Sequence, residues 1–258
     1  MIDPLEGLTA DGLIRTGASA DRIPARFLPL LHRVVDRVAS VAPDAAVYVY
    51  GSVATGVARV PASDVDLLTI GLTAERAAEI GEHMSVEFDD ICRGVEIAHA
   101  FDSDFRGEGD EAYGGRVFLH HYCVLLAGPD LDRSGSGYRG DRRAARGFNG
   151  DIAQHAMRWR RDLGSTDSAR LGRRAARKTL LAVSGLVSIH DGTWTTDRES
   201  AARRWHEVHP ELAAGLEELL QWSAGRRAAT DERLAHQLNT TIDRVVEQFE
   251  TDIGLWRA

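Results

Sequence analysis

The sequence predicts an α+β protein with two domains, because strands and helices are mixed in its first part and only helices follow. Short apolar runs bounded by turn residues alternate with helical periodicities before residue 127. Residues 131–150 are rich in Gly, Ser and Arg, which is typical of a linker or an ordered crossover loop. We therefore expect a first domain over residues 1–150 and an all-helical second domain over residues 151–258.

The first predicted elements are a helix and a short buried strand. Apolar residues recur at helical spacing over residues 23–41, and Pro43 ends this helix. Residues 47–50 form an apolar run that a Gly-Ser turn stops, and residues 52–58 then predict a brief helix. A strand that leads through Gly-Ser into a helix is therefore expected early in the chain.

The remaining elements of the first domain alternate in the same way. Residues 64–70 and 95–101 predict two further strands, and residues 73–91 predict the helix between them. Residues 102–115 are acidic and glycine-rich without periodicity, which indicates a flexible loop. Residues 117–126 then predict the last strand of the domain.

After residue 151 the pattern predicts helices only. The candidates are residues 151–163 and 171–190, helices that begin at Thr196 and Pro210, and a long helix over residues 230–256. The helix at Thr196 begins with Thr-Asp-Arg-Glu, which is a capping box.

Composition and charge restrict the partners of the chain. A formal net charge of −8 argues against non-specific nucleic-acid binding, which needs a basic surface. No apolar run is long enough to span a bilayer, and the first residues carry no secretion signal. Cys92 and Cys123 are isolated, as in a reduced cytosolic protein. We therefore expect a cytoplasmic protein with no membrane partner.

The turn after the first strand has the chemistry of a phosphate-binding loop. Gly51 lets the backbone approach a ligand closely, and the amides that follow point outward at the start of a helix. Ser52 adds a hydroxyl donor for the same phosphate. The turn therefore suits a polyphosphate.

Two carboxylates follow on the next strand. Asp64 and Asp66 are two residues apart, so both side chains are expected on one face while Val65 points into the core. Carboxylate oxygens are the ligands that magnesium prefers, together with water and substrate phosphate. The Asp-x-Asp pair therefore predicts a site for one or two magnesium ions beside a phosphorus centre.

A third carboxylate is needed near this pair, as a metal ligand or as the base for an acceptor hydroxyl. Glu96 is the preferred candidate, because it is a polar residue between apolar neighbours on the next predicted strand. A neighbouring strand brings Glu96 alongside the Asp pair. Asp102, Asp104 and Glu87 are the alternatives.

These features occur in an order that resembles a known family. The residues that carry the resemblance are Gly51-Ser52-x3-Gly56-x6-Ser63-Asp64-x-Asp66-Leu67. They are similar to the signature of the DNA-polymerase-β-like nucleotidyltransferase superfamily, in which Gly-Ser precedes Asp-x-Asp on a strand. The resemblance implies a small mixed sheet flanked by helices, a nucleoside triphosphate donor, Mg2+ as cofactor and pyrophosphate as product.

The same resemblance implies roles for individual residues. The implied metal ligands and catalytic residues are Asp64, Asp66 and Glu96, and the implied triphosphate-binding residues are Gly51, Ser52 and Ser63.

The helical half is similar to the C-terminal domain of streptomycin/spectinomycin adenylyltransferases. The similarity covers residues 180–192 and 196–205, and residues 122–130, which end in Ala-Gly-Pro-Asp. In that family the helical domain closes over the nucleotide and supplies cations for the phosphates. The resemblance implies ATP as donor and Arg198 as a phosphate contact, and Lys178, the only lysine, is a second candidate contact. The alternative for both residues is an exposed helix face.

Two charge patterns indicate different acceptors. Arg173 and Arg174 stand where these adenylyltransferases carry an acidic residue for a polycationic drug, which favours a neutral or anionic acceptor. The acidic residues within 102–115 favour a cationic acceptor instead. Both possibilities stay open at this stage.

The expected function is magnesium-dependent transfer of a nucleoside monophosphate, AMP from ATP, to a hydroxyl of a small aminoglycoside-like or related acceptor, as in antibiotic resistance. The alternatives are a nucleotidyltransferase that acts on a protein or RNA target, and a non-catalytic nucleotide-binding regulator. The intact Gly-Ser and Asp-x-Asp favour an enzyme, because a degenerate module has no need of metal-binding carboxylates.

Overall fold

The computed structural model describes residues 3–132 and 135–256, which divide into two compact units. The first unit comprises Leu13–Tyr138 with the segment that ends at Thr9, and the second comprises Ala10–Gly12 with the chain from Arg139 onward. The structure thus divides between Tyr138 and Arg139, and a domain boundary at residue 150 stays a prediction.

The first unit contains strands and helices in alternation. Its strands are β1 (Gly7–Leu8), β2 (Ile14–Arg15), β3 (Ala46–Tyr50), β4 (Val65–Ile70), β5 (Val95–Ala100) and β6 (Val124–Ala127). Its α-helices are α1 (Leu28–Val41), α2 (Gly51–Ala54), α3 (Ala74–Glu87) and α4 (Asp110–Tyr122). Short 3-10 helices cover Ala20–Arg22, Ala25–Phe27 and Asp102–Phe105.

The main sheet is small and mixed, as the family resemblance implies. In the described residues its strand order is β5-β4-β3-β6. Strand β3 pairs antiparallel with both β4 and β6, whereas β4 pairs parallel with β5. The parallel pair needs a long crossover, and α3 lies in that connection.

The two central strands are apolar on both faces because both faces are covered. On one face Val47, Val49 and Leu67 pack in a cluster with buried residues of α1 and α3. On the other face Tyr48 and Leu68 pack in a second cluster with a buried leucine of α4. Each fully buried side chain of this size contributes about 1.5–3 kcal/mol relative to exposure. This packing fixes the carboxyl-terminal end of β3 beside the start of β4.

Helix α4 replaces two predicted elements. The sequence predicts a loop over residues 102–115 and a strand over 117–126, but the structure has a helix at Asp110–Tyr122 and a strand only at Val124–Ala127. The helix buries Ala112 and Leu119, while its glycines lower its intrinsic helix propensity. Tertiary packing of the helix therefore outweighs the local strand-like pattern.

In the second unit the regular elements of residues 151–256 are all helices, as predicted, whereas residues 142–149, which are predicted as part of a linker or crossover loop, also form a helix. Its α-helices are α5 (Arg142–Asn149), α6 (Ile152–Asp162), α7 (Ser168–Asp191), α8 (Arg198–Val208), α9 (Ala213–Ser223), α10 (Asp231–Leu238) and α11 (Thr241–Asp252). Helix α7 is central, and α5, α8, α9 and α11 all pack against it. A 3-10 helix at Pro210–Leu212 precedes α9.

The prediction of one long helix over residues 230–256 is wrong. The chain leaves the helical conformation between Leu238 and Thr241, where Thr240 has φ −130° and ψ −93°. The Thr240 hydroxyl donates to the carbonyl of His236 at 2.8 Å. Asn and Thr side chains compete with helical backbone hydrogen bonds, which explains the break between α10 and α11.

Among residues 3–132 and 135–256, no helix combines the length and the apolar character needed to cross a bilayer.

A histidine pair at the end of α4 is packed inside the first unit. His121 Nε2 accepts a hydrogen bond from the Tyr138 amide at 2.9 Å, which requires that this nitrogen is unprotonated. The pKa of His121 is lowered to about 4, mainly by burial and also by the charge of neighbouring His120, while Asp132 opposes the shift. His120 Nδ1 in turn contacts Asp132 Oδ2 at 2.6 Å. The histidine pair therefore has a structural role in this fold.

We expect the stability of the protein to fall as the pH drops from about 6.5 towards 4, since the unfolded chain then binds a proton that folded His121 refuses. The loss attributable to His121 amounts to about 1–2 kcal/mol at pH 5. In His121→Gln the free energy of unfolding is expected to depend less on pH over this range. Urea unfolding between pH 7 and 5 measures this dependence. His83→Gln, at an exposed position on α3, is the control. An unchanged slope in His121→Gln contradicts the prediction.

Candidate active site

Gly51 and Ser52 directly follow β3 and form the start of α2. Strand β3 ends at Tyr50, and Gly51 follows with φ +69°, a left-handed conformation that favours glycine. A Cβ atom on Gly51 would lie 2.5 Å from Asp66 Oδ2. Only a residue without a side chain therefore lets the turn approach the Asp66 carboxylate this closely.

The backbone after Gly51 is held by local hydrogen bonds. The carbonyl of Ser52 accepts from the amides of Val57 and Ala58, each at 3.0 Å. The Thr55 hydroxyl donates to the carbonyl of Gly51 at 3.1 Å. Helix α2 is a single turn, so the predicted phosphate contact of this segment depends on its local amides and the Ser52 hydroxyl rather than on a long helix dipole.

The structure aligns Asp66 with Glu96. The two residues are register partners in the parallel β4–β5 ladder, so their side chains stand side by side, with Cα atoms about 4.8 Å apart. Val65 and Leu67, the neighbours of Asp66, are buried in the core on the opposite face. The alternation of side chains along the strands therefore turns the carboxylates of Asp66 and Glu96 to the same face of the sheet, as the sequence predicts.

Asp64 precedes β4, and its carboxylate is bound by an arginine. Arg93 Nε donates to Asp64 Oδ1 at 2.9 Å, and Arg93 Nη2 donates to Asp64 Oδ2. The sequence predicts Asp64 as a metal ligand but gives Arg93 no role. The only signal for Arg93 is its place as a basic residue three positions before Glu96.

Ser63 is buried, and its hydroxyl has a local partner. The Arg59 amide donates to Ser63 Oγ at 2.9 Å, and the Ser63 amide donates to the Arg59 carbonyl at 2.8 Å. This pair of bonds closes the loop that leads to Asp64. A triphosphate contact by Ser63 stays a prediction, and the bonds observed here give Ser63 a role in shaping the loop.

Burial and neighbouring charges shift the pKa values of two side chains at the site, Tyr50 and Arg93. Burial raises the pKa of the Tyr50 phenol strongly, and the negative charges of Asp66 and Glu96 raise it further. Tyr50 is therefore a neutral hydrogen-bond donor at the edge of the site at physiological pH. Hydrogen bonding to Asp64 is the main cause that raises the pKa of Arg93, and the charges of Glu96 and Asp66 add to it.

The alternatives to Glu96 are engaged elsewhere in the first unit. Glu87 forms an ion pair with Arg33 at 3.1 Å. Asp104 Oδ2 accepts from the Phe101 amide at 2.8 Å and so caps the 3-10 helix that follows β5. Asp102 pairs with an arginine of the same turn. Register and local bonding therefore favour Glu96 as the third carboxylate.

The donor set fits a magnesium ion in its chemistry, although its side chains are not gathered around one point. In the described parts of the chain, no group of three or more His, Cys, Asp or Glu side chains is arranged to hold a metal ion. Asp66 and Glu96 nevertheless offer adjacent carboxylates beside a turn that a Cβ atom would obstruct. The Asp64 carboxylate forms an ion pair with Arg93.

The two predicted phosphate-binding cations lie in the second unit. Arg198 is the first residue of α8, directly after the N-cap Asp197. Lys178 Nζ contacts Asp151 Oδ1 at 2.7 Å and donates to the Phe148 carbonyl at 3.0 Å. Lys178 therefore has a structural role within its own unit, and phosphate contacts by Lys178 and Arg198 stay predictions.

Lys178→Met is expected to lower the free energy of unfolding by about 1–2 kcal/mol, because it leaves a buried carboxylate without its cation. The Asp151 side chain is 14% exposed, and although burial raises its pKa, its hydrogen bond with His155 and the charge of Lys178 produce a net lowering. Urea unfolding measures the effect. Arg161→Met, which removes a largely exposed partner of Asp162, is the control and is expected to change stability by less than about 0.5 kcal/mol. Equal stability of Lys178→Met and wild type contradicts the structural role.

Comparison with known proteins supports a shared fold. Residues 31–91 match the family model described as a nucleotidyltransferase domain, and this stretch holds Gly51-Ser52 and Asp-x-Asp but ends before Glu96. Among solved structures, the chain is similar to spectinomycin adenyltransferase AAD(9) from Enterococcus faecialis, crystallised with ATP and spectinomycin. The sequence identity is 11% and the TM-score 0.50, over 85% of this chain and 99% of that chain. No curated protein sequence matches the chain.

These findings confirm two predictions. The chain has the α+β architecture of an N-terminal nucleotidyltransferase domain followed by a helical region. Residues 31–91 carry a nucleotidyltransferase domain, in agreement with the predicted enzyme class, and the chain resembles spectinomycin adenyltransferase AAD(9) in fold.

Proposed function

We propose that this nucleotidyltransferase transfers AMP from ATP to a hydroxyl group of a small acceptor, in a magnesium-dependent reaction that releases pyrophosphate. The observation that carries the proposal is the register pairing of Asp66 with Glu96 beside the glycine turn at Gly51. Adjacent carboxylates next to a phosphate-binding turn suit transfer at phosphorus, where catalysis depends on positioning and charge neutralisation.

Each residue of the first unit has a role in this proposal. Asp66 and Asp64, with Glu96, would hold the metal, which when bound neutralises charge on the triphosphate. The amides after Gly51 and the Ser52 hydroxyl bind phosphate oxygens. The Glu96 carboxylate accepts the proton of the acceptor hydroxyl, whose oxygen then bonds to the α-phosphorus as the bond to pyrophosphate breaks.

Two basic side chains are the candidate cations for the nucleotide, as the family resemblance implies. Arg198, in the first turn of α8, is the preferred residue because a guanidinium donates in a two-pronged geometry to phosphate oxygens. Lys178 is the second candidate, because its contacts with Asp151 and the Phe148 carbonyl use two of the three N–H donors of the ammonium.

The proposed acceptor class rests on the similar solved structure, because the charges of this chain favour acceptors of opposite sign. The similar solved structure holds ATP and spectinomycin. By analogy, we propose a small hydroxylated acceptor of aminocyclitol or aminoglycoside type for this chain. Arg173 and Arg174 are exposed near the start of α7, whereas the segment after β5 is acidic. A panel of acceptors therefore has to include neutral and anionic sugars beside cationic drugs. We place the reaction in the cytoplasm, in line with two cysteines that form no disulfide.

Pyrophosphate release tests the proposal directly. Purified full-length protein is incubated with ATP and Mg2+ and with aminoglycosides, aminocyclitols and nucleotide sugars in turn, and an Asp64→Asn/Asp66→Asn variant serves as the blank. Release that requires one acceptor and disappears in the blank supports the proposal. If no acceptor raises release above the blank while ATP still binds, the small-molecule proposal fails. Transfer of label from α-32P-ATP to protein or RNA in an extract would then identify a macromolecular target.

A further inference from the structure

The first unit places an arginine among the carboxylates of its candidate active site. The Arg93 guanidinium contacts both carboxylate oxygens of Asp64, with Nε at 2.9 Å from Oδ1 and Nη2 hydrogen-bonded to Oδ2. A two-pronged arginine–carboxylate contact of this kind is directional and uses both oxygens. The oxygens that would bind a metal ion are therefore occupied by a side chain of the protein itself.

The backbone holds Arg93 at this position. The Arg93 amide donates to the carbonyl of Ser63 at 3.0 Å, and the Val65 amide donates to the carbonyl of Gly94 at 2.9 Å. These bonds extend the β4–β5 pairing one step before both strands begin. The Arg93 backbone is thus fixed beside Asp64 by the same ladder that aligns Asp66 with Glu96.

The guanidinium is held by charge but is open to solvent. The Arg93 side chain is 64% exposed, whereas the Asp64 side chain is 23% exposed. Hydrogen bonding to Asp64 raises the pKa of Arg93, and the charges of Glu96 and Asp66 raise it further. The guanidinium therefore offsets repulsion among all three carboxylates, yet it can leave Asp64 without breaking the core, since exposed ion pairs are weak.

We propose that Arg93 is a positioning residue that takes the place of a divalent cation at Asp64, so that cation binding by the carboxylates requires its displacement. The inference rests on the proposed function, because it assumes that Asp64, Asp66 and Glu96 form the metal site. Arg93 then keeps the carboxylates together in the absence of metal and lowers the affinity for metal alone. Both effects come from the same contact with Asp64.

Manganese binding measures the competition without any enzymatic turnover. Full-length wild type, Arg93→Gln and Arg93→Lys are titrated with Mn2+ in the absence of nucleotide, and free Mn2+ is read by electron paramagnetic resonance. Arg93→Gln is expected to bind Mn2+ about two- to fivefold more tightly, which is the size of effect that an exposed ion pair produces. Arg93→Lys, which keeps the charge but loses the two-pronged contact, is expected to fall between the two.

A matched control separates this contact from a general change of charge. Arg76→Gln removes an arginine whose exposed ion pair with Glu79 lies on α3 of the same unit. We expect its Mn2+ affinity to equal that of wild type. If Arg76→Gln and Arg93→Gln tighten Mn2+ binding equally, the effect is one of net charge and the proposal is overturned.

Thermal unfolding in a chelator supplies the second measurement. Without metal, the melting temperature of Arg93→Gln is expected to lie below that of wild type. Added Mn2+ is expected to raise the melting temperature of Arg93→Gln more than that of wild type. Unchanged or weaker Mn2+ binding by Arg93→Gln overturns the inference, provided that Asp66→Asn lowers Mn2+ affinity. If Asp66→Asn binds Mn2+ as wild type does, the metal site of the proposed function is itself wrong, and the inference falls with it.

Discussion

Asp66→Asn is expected to lower the rate of nucleotidyl transfer on the order of a thousandfold, with little effect on stability. Asp66 is the register partner of Glu96 and the residue that Gly51 approaches most closely. An amide keeps the shape of the side chain but loses the negative charge that neutralises a bound cation. Pyrophosphate release with the best acceptor of the panel measures the rate, and thermal unfolding measures stability.

The control for this substitution is Glu79→Gln, which also removes one negative charge from the first unit. Glu79 lies on the exposed side of α3 and pairs with Arg76. We expect its rate to stay within about twofold of wild type, since exposed ion pairs contribute little. If Glu79→Gln and Asp66→Asn both transfer at a rate near that of wild type, Asp66 is not part of the catalytic centre.

Gly51→Ala is expected to reduce transfer about a hundredfold, because it displaces the Asp66 carboxylate that the proposed reaction needs. The added Cβ would lie 2.5 Å from Asp66 Oδ2, so the carboxylate or the turn has to move. The left-handed backbone at Gly51, with φ +69°, adds about 1–2 kcal/mol of strain for alanine. The rate is measured by pyrophosphate release and the stability by urea unfolding.

Gly192→Ala is the control that separates backbone strain from the clash of the added Cβ atom with Asp66. Gly192 ends α7 with φ +64°, close to the value at Gly51, but a Cβ there meets no atom within 4 Å. We expect a similar loss of stability in the two variants and a large loss of activity only in Gly51→Ala. Equal activity of both variants refutes the close approach of the turn to Asp66 as a requirement of the reaction.

The part of the site that depends on local sequence could be predicted. The Gly-Ser turn and Asp-x-Asp lie within one short stretch, where strand alternation alone orients Asp66 away from the core. Glu96 could be predicted because consecutive strands often pair, and β4 and β5 do. Periodicity could not reveal the Arg93–Asp64 contact, since it joins a strand start to a turn 29 residues away.

The wrong predictions have a common cause in tertiary packing. Residues 117–119 are a short apolar run that is compatible with a strand, but Val117 and Leu119 are buried as parts of helix α4. The break between α10 and α11 depends on polar side chains that contact the backbone, which the hydrophobic period does not record. The contact of Lys178 with Asp151 could not be predicted either, because it depends on how α6 and α7 pack.

The parallel pairing of β4 with β5 has a consequence for the order in which the site is assembled during folding. Strands β3 and β4 pair antiparallel across residues 51–64, whereas β5 pairs with β4 only after residues 71–94, which contain α3, close a longer loop. Closing the longer loop costs more chain entropy before any contact is gained. We therefore expect the refolding chain to protect β3 amides from hydrogen exchange before those of β5, so that the carboxylate pair forms late. Pulse-labelled exchange that protects both strands at the same rate contradicts this order.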